Sequence, residues 1–313
     1  MEKVSKKTKS KITMQAIQKD FKRFKYVYAM ALVGLAYYFI FHYWPMYGIQ
    51  IAFRDFRPAR GIWGSDWIGF KHFQDFFNGI YIQRLIRNTV LISFYELIFS
   101  FPAPIIFALL LNEIRSKFYK KTVQTATYLP HFISQVIICG ILIDFLSTRG
   151  LFNDILEMFG STRTAFLQDP KNFRAIYVGS GIWQSIGYGS IIFLSALSSV
   201  DTQLFDAAVI DGCNRFKRIW HVTIPGILPT IIIMLILRVG SMMSVGFEKI
   251  ILLYNNTTME TADVISSFVY RYGMQQANYG FATAVGLFNS VINFSLLVIV
   301  NAISKKVTET SLW

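Results

Sequence analysis

Charge is scarce in this sequence. Of 313 residues, 16% are charged and 53% are hydrophobic, whereas a soluble globular domain carries roughly 25% charged residues. The mean hydropathy is +0.42, so the chain reads as an integral membrane protein. It has two cysteines, Cys139 in an apolar run and Cys213 in a short polar segment. They make neither a disulfide framework nor a metal site and read as packing residues. The four histidines, His42, His72, His131 and His221, stand singly without ligand spacing. No motif places a serine or cysteine nucleophile beside one of them, so no catalytic constellation emerges. A GxxxxGK phosphate loop is also absent, which leaves the chain without that means of binding ATP. If it moves anything uphill, the energy enters from another subunit.

What is present is basic charge at the amino terminus. The formal net charge is +13, and Lys3, Lys6, Lys7, Lys9, Lys11, Lys19, Lys22, Arg23 and Lys25 all precede the first apolar run. Such a segment keeps its end in the cytoplasm, near anionic lipid. No nucleic-acid motif accompanies it, so nucleic acid is not an expected partner. The long polar lead and the lack of a small-residue cleavage site argue for an uncleaved anchor over a signal peptide.

A helix crosses the bilayer core with about 20 mostly apolar residues, because each backbone amide must be paired within the segment. Candidate spans fall near 27–47, 86–111, 123–147, 174–197, 226–248 and 281–303. The expected fold is therefore all-α and integral to the membrane, with six transmembrane helices. A basic amino terminus occupies 1–26, the transmembrane domain 27–303 and a tail 304–313. The turn from Asn112 to Lys121, the segment 201–225 and the tail are short and basic, which places them and both termini in the cytoplasm. The opposite loops, about 48–85, 148–173 and 249–280, are longer and rich in aromatics, although the first is basic too. Within it "WIGFKHFQDFF" has helical apolar spacing and reads equally as a helix lying on the membrane surface or as a packed loop helix.

The stretch "FDAAVIDGCNRFKRIWHVTIP" lies between the fourth and fifth spans. Asp201 and Thr202 can cap a helix there, Gly212 can end it, and a second turn follows before Pro225 and Pro229 open the next span. Ala207 and Ala208 let another backbone approach closely, and Asp206, Asp211, Arg215, Lys217 and Arg218 supply charged contacts. This suits a protein partner; a solvated loop touching headgroups is the plainer alternative.

Asp206, Ala207, Ala208, Gly212, Val222, Ile224 and Pro225 resemble the EAA loop of ABC importer permeases, with Asp206 where glutamate is usual and Cys213 where alanine is common. In addition, "FHYWPMYGIQIAFRDF", "WIGFKHF", "ADVISSFVYRYGM" and "YGFATAVGLFNSVINF" resemble type I carbohydrate importers of the maltose-transporter-like group. Within it they look most like the Gram-positive oligosaccharide branch. The resemblance implies a type I ABC importer permease fold in the bacterial cell membrane and a coupling loop of Asp206, Ala207, Ala208, Asp211, Gly212, Arg215 and Pro225. It also implies a second permease subunit, expected to be a different chain, two cytoplasmic ABC ATPases holding ATP and Mg, and an extracellular solute-binding lipoprotein. The chain itself is expected to bind no cofactor or metal and to be no enzyme.

A sugar path calls for aromatic platforms and hydrogen-bonding groups with little fixed charge. The fourth span offers "GIWQSIGYGSIIF", in which Trp183, Gln184, Gly187, Tyr188 and Ser190 are candidate path residues. Trp183, Gly187 and Ser190 share one helical face. Met243 and Gly246 in the fifth span are further candidates by the same resemblance, and ordinary helix packing is the competing role for all of them. Charges within spans cost free energy and mark function. Asp144 and Glu248 lie near span ends, where solvent explains them. The deeper Glu96 and Arg238 can pair with each other, with a partner subunit or with a gate.

The favoured function is the membrane subunit of an ATP-driven oligosaccharide importer. An ABC permease for another small solute is the neighbouring alternative, because a coupling loop reports the motor and not the cargo. An ion-gradient-driven transporter is the alternative of another class, with Glu96 the single hint of its machinery.

Overall fold

The computed structural model describes residues 22–308 and 310–313. The basic residues from Lys3 to Lys19 lie outside the described range. The chain falls into two compact units, one ending at Ile51 and one running Ala52–Trp313.

In the first unit, α1 (Lys25–Tyr38) carries no acidic residue and is apolar all round. It continues through a π-helical turn, Phe39–Tyr43, so that Lys25–Phe53 makes one apolar helical run of 29 residues.

The second unit opens with a two-stranded ribbon, β1 (Arg54–Asp55) antiparallel to β2 (Asp66–Trp67). A short helix follows, α2 (Lys71–Phe77), whose Phe76 is only 3% exposed. Phe76 packs on Phe268 and Phe288, which gives "WIGFKHFQDFF" the packed loop-helix character. The second span is α3 (Ile82–Tyr95), a π-helical turn Glu96–Ser100, and α4 (Pro102–Glu113). Pro102 lies in the first turn of α4, where a missing N–H costs little.

The expected single span over 123–147 is instead two helices, α5 (Lys117–Tyr128) and α6 (Gln135–Leu146), parted at Leu129–Phe132. Proline at position 130 removes a helical donor, and Ser134 starts α6 afresh by accepting the Ile137 N–H. The apolar stretch continues through α7 (Leu151–Met158). Next comes α8 (Pro170–Ser198), 29 residues long and so about 44 Å. It bends by 73° into α9 (Thr202–Ile210). Among the described residues five helical runs are long and apolar enough to cross a membrane, and six if the bent pair counts as one. The fourth span falls short alone because glycine, serine and glutamine interrupt its apolar residues.

A short α10 (Arg215–Arg218) leads through a π-helical turn into α11 (Ile224–Gly240). The fifth span therefore ends at Gly240, before the expected 248. Residues 241–246 are irregular, and α12 (Phe247–Leu253) resumes after them. Backbone without helical partners survives at membrane depth only when protein supplies the hydrogen bonds. Here it does. Ser93 Oγ donates to Met242 O, Asn293 Oδ1 accepts the Met243 N–H at 2.9 Å, Asn289 donates to Met243 O at 3.2 Å, and Ser266 Oγ donates to Val245 O at 2.5 Å. Two short helices, α13 (Met259–Ala262) and α14 (Ile265–Tyr270), precede the last span, α15 (Tyr279–Thr308).

The core lies in three apolar clusters, one centred on Ile92, Tyr177 and Ile250, one on Leu85, Phe268 and Val285, and one on Ala108, Phe193 and Ile227. A polar knot joins α3 to the segment before α14. The Asp263 carboxylate, fully buried, accepts from Arg84 at 2.9 Å and Arg271 at 2.7 Å, and Ser267 Oγ donates to it at 2.8 Å. Burial works against the Arg271 charge, yet the hydrogen bond and charge of Asp263 hold its pKa above the ordinary arginine value. Asn88, itself buried, donates to the backbone of Glu260 and Asp263.

Candidate functional site

The second, fourth and fifth spans enclose a cavity of about 370 Å³. Glu96 and Ser100 approach it from the π-helical turn after α3, Gly181, Ser185 and Gly189 from α8, and Arg238 and Ser241 from the end of α11. The fourth-span residues recur every four positions, so they form one stripe along the helix. Small side chains there leave the space open. Glu96 and Arg238 form an ion pair of 2.9 Å, the first of the three pairings that the sequence left open. Arg238 is still 39% exposed and lines the cavity, so the pair does not use up the guanidinium. Ser185 Oγ donates to Gly181 O and Ser241 Oγ to Leu237 O, so both hydroxyl oxygens remain acceptors. Phe101, Phe193 and Met234 supply apolar wall. The arrangement fits a ligand with many hydroxyls and apolar ring faces.

The expected path residues distribute otherwise. Gly187 and Ser190 are buried and neither lines the cavity; Gly187 sits in the seam between α8 and α5, and Ser190 Oγ donates to Gly187 O. A Cβ on Gly187 would stand 2.2 Å from the Thr127 carbonyl oxygen, so glycine here permits helix contact. Trp183 shares that side of α8 and is 49% exposed, and Gln184 is half-buried. Tyr188 stacks on His131 at 3.9 Å between centroids, with rings 4° from parallel. Met243 and Gly246 belong to the irregular segment and not to a transmembrane helix. Met243 is buried in a core cluster, and Gly246 lies 3.7 Å from the Tyr177 hydroxyl by its would-be Cβ. Asp144 and Glu248 are exposed, in keeping with solvated positions. Sequence reasoning marks Gly181 and Gly189, with Gly187, as places that lower the steric barrier to close approach, but it missed Ser185 and the stripe that Gly181, Ser185 and Gly189 make at four-residue spacing. It also missed Lys249, which is 8% exposed and donates to Tyr177 O at 2.8 Å. No sequence signal singles that lysine out.

The segment between the fourth and fifth spans is a projecting helical hairpin. Asp201 caps α9 by accepting the Gln203 N–H at 2.9 Å, and Gly212 reverses the chain at φ +72°, a conformation that glycine adopts without Cβ strain. Asn214 then caps α10 through the Lys217 N–H. Ala208 is buried, whereas Asp206, Ala207, Asp211, Gly212, Arg215 and Pro225 are exposed. Ile210 and Phe216, 86% and 83% exposed, flank them. Asp206, Asp211 and Arg215 form no ion pair among the described residues. An exposed apolar patch bordered by charges has the make-up of surfaces that receive a protein partner.

Residues 86–309 match the model of the family described as "Binding-protein-dependent transport system inner membrane component". Protein LplB of Bacillus subtilis (strain 168) is 43% identical over 93% of this chain and 92% of its own length. The polygalacturonan/rhamnogalacturonan transport system permease protein YteP of the same organism is 40% identical, over 92% and 90%. Among solved structures, a chain of a bacterial ABC transporter involved in the import of the acidic polysaccharide alginate superposes with a TM-score of 0.86. Its identity is 44%, over 93% of this chain and 99% of that one. A further structure, of a bacterial alginate ABC transporter in complex with alginate pentasaccharide-bound periplasmic protein, gives the same TM-score at 43% identity, over 94% and 99%. The six-span architecture is that of a type I ABC importer permease, and the chain belongs to the family of inner membrane components of binding-protein-dependent transport systems.

Proposed function

We propose that this chain is one of two permease subunits of an ATP-driven importer and forms half of the path by which an oligosaccharide crosses the membrane. The carrying observation is the cavity between the second, fourth and fifth spans, in which serine hydroxyls and Arg238 alternate with glycine and apolar wall. The transport role of the relatives and the alginate pentasaccharide of one structural neighbour support this reading. The Glu96 carboxylate is tied to Arg238, which disfavours a gradient-driven carrier with a free intramembrane acid.

In this reading the hairpin at 201–225 docks on a separate ATPase, which holds ATP and Mg, and passes its closure to α8 and α11. The second permease is a different chain, and an extracellular solute-binding lipoprotein delivers the cargo. The amino terminus, the turn at 112–121, the hairpin and the tail face the cytoplasm. The chain binds no cofactor and performs no chemistry of its own.

Uptake of a labelled oligosaccharide mixture into proteoliposomes holding permeases, ATPase and binding protein tests this. ATP-dependent uptake is expected, together with loss of ATPase association when Gly212→Val or Ala207→Leu/Ala208→Leu is introduced. Full-rate uptake without ATP, or with those variants, would overturn the reading.

A further inference from the structure

A second cavity, of about 440 Å³, lies between the second and fourth spans, against residues that directly neighbour those of the first. Tyr95 and Phe99 line it where Glu96 and Ser100 line the other, and Gly179 and Ile182 bracket Gly181. Ala175 and Val178 add apolar wall, and Lys171 and Arg174 bring the cavity its two cations. Lys171 is exposed and Arg174 half-buried, and neither forms an ion pair among the described residues.

Arg174 is the informative group. Its Nη2 donates at 2.9 Å to the side-chain oxygen of Asn88, a neutral amide that is itself fixed by two hydrogen bonds to backbone carbonyls. Its buried Nε has no partner. Glu260, a carboxylate on the facing segment, is engaged instead by Arg87 at 3.9 Å. A partly buried guanidinium that makes no direct ion pair, and whose Nε has no hydrogen-bond partner, keeps unmet capacity for an anion. Its planar fork matches a carboxylate. The half-buried Tyr95 lines the same cavity, and an aromatic ring is the kind of surface on which a sugar ring packs.

We infer that the cavity lined by Tyr95, Phe99, Lys171 and Arg174 is a subsite for an acidic sugar residue, its carboxylate met by Arg174 and Lys171, and that the cargo is a uronate-bearing oligosaccharide. The inference rests on the importer reading and adds the charge of the cargo. A neutral glycan leaves both cations without an ion pair, whereas a uronate carboxylate satisfies both.

The test uses the co-purified permease and ATPase complex in nanodiscs without the binding protein, so that selectivity belongs to the permease. The probes are tetragalacturonate and its carboxyl-reduced, neutral counterpart. The intact complex is expected to bind the acid at least about tenfold more tightly than the neutral form. Arg174→Gln and Lys171→Gln should each shrink that preference, and Arg174→Lys should retain part of it. Lys171 is exposed, so its variant carries no folding risk. Equal affinity for both probes in the intact complex, or an undiminished preference in the variants, would overturn the inference. It would fall equally if the variants changed only the amount of phosphatidylglycerol retained, because the cations would then serve a lipid headgroup. Uptake by the complete importer separates the two readings: uptake without acid preference sinks this one alone, and no ATP-dependent uptake of either probe sinks both.

Discussion

Glu96 and Arg238 meet at 2.9 Å on the wall of the cavity between the second and fifth spans. The pair joins the π-helical turn after α3 to the last turn of α11, at the point where α11 gives way to irregular backbone. It neutralises two charges that would each be costly within a membrane, and it leaves the exposed part of Arg238 available to the cavity.

Exchanging the two charges tests whether pairing or identity matters. Glu96→Gln and Arg238→Gln should each slow uptake, and a double-mutant cycle on thermal stability should return an interaction of about 0.5–3 kcal/mol. The swap Glu96→Arg/Arg238→Glu should recover stability but not uptake, since the cavity then presents its guanidinium from the wrong wall. Recovery of uptake would mean that Arg238 has no direct role in the path.

Two glycines of α8 should respond oppositely to one methyl group. In Gly187→Ala the new Cβ meets the Thr127 carbonyl at 2.2 Å, and forcing the helices apart should cost about 1–3 kcal/mol. In Gly179→Ala the Cβ meets nothing within 4 Å, so the melting temperature of the purified complex should hardly move.

The irregular segment after α11 should depend on α15. Asn293→Leu leaves the Met243 N–H without its acceptor, and a buried unpaired amide costs about 1–3 kcal/mol. Hydrogen exchange should then rise at residues 241–246 before it rises in α11.

Replacing Asp263 should be the most damaging change. Asp263→Ala strands Arg84 and Arg271, which both donate to its buried carboxylate, and loss of one partner from a buried pair costs about 3–5 kcal/mol. A fall of the melting temperature no larger than that of an exposed pair such as Arg57 and Asp55 would refute the view that this knot ties α3 to the segment before α14.

The membrane character, the approximate places of most spans and the helix–turn–helix at 201–225 were legible in the sequence, because each depends on local quantities, whereas the break at 129–132 and the early end of the fifth span were not. Hydropathy sums over neighbours, Asp201 and Asn214 cap the helices that they immediately precede, and Gly212 turns on its own φ. Tertiary structure decided the rest. Trp183, Gly187 and Ser190 do share one side of α8, but helical spacing cannot say whether that side meets open space or the backbone of Thr127. The cavity fell instead to Gly181, Ser185 and Gly189. Likewise, the fifth span could end at Gly240 only because Ser93, Ser266, Asn289 and Asn293 converge on residues 242–245. Those donors and acceptors come from three other elements, and a polar atom's worth within a membrane is set by the partner that folding brings to it.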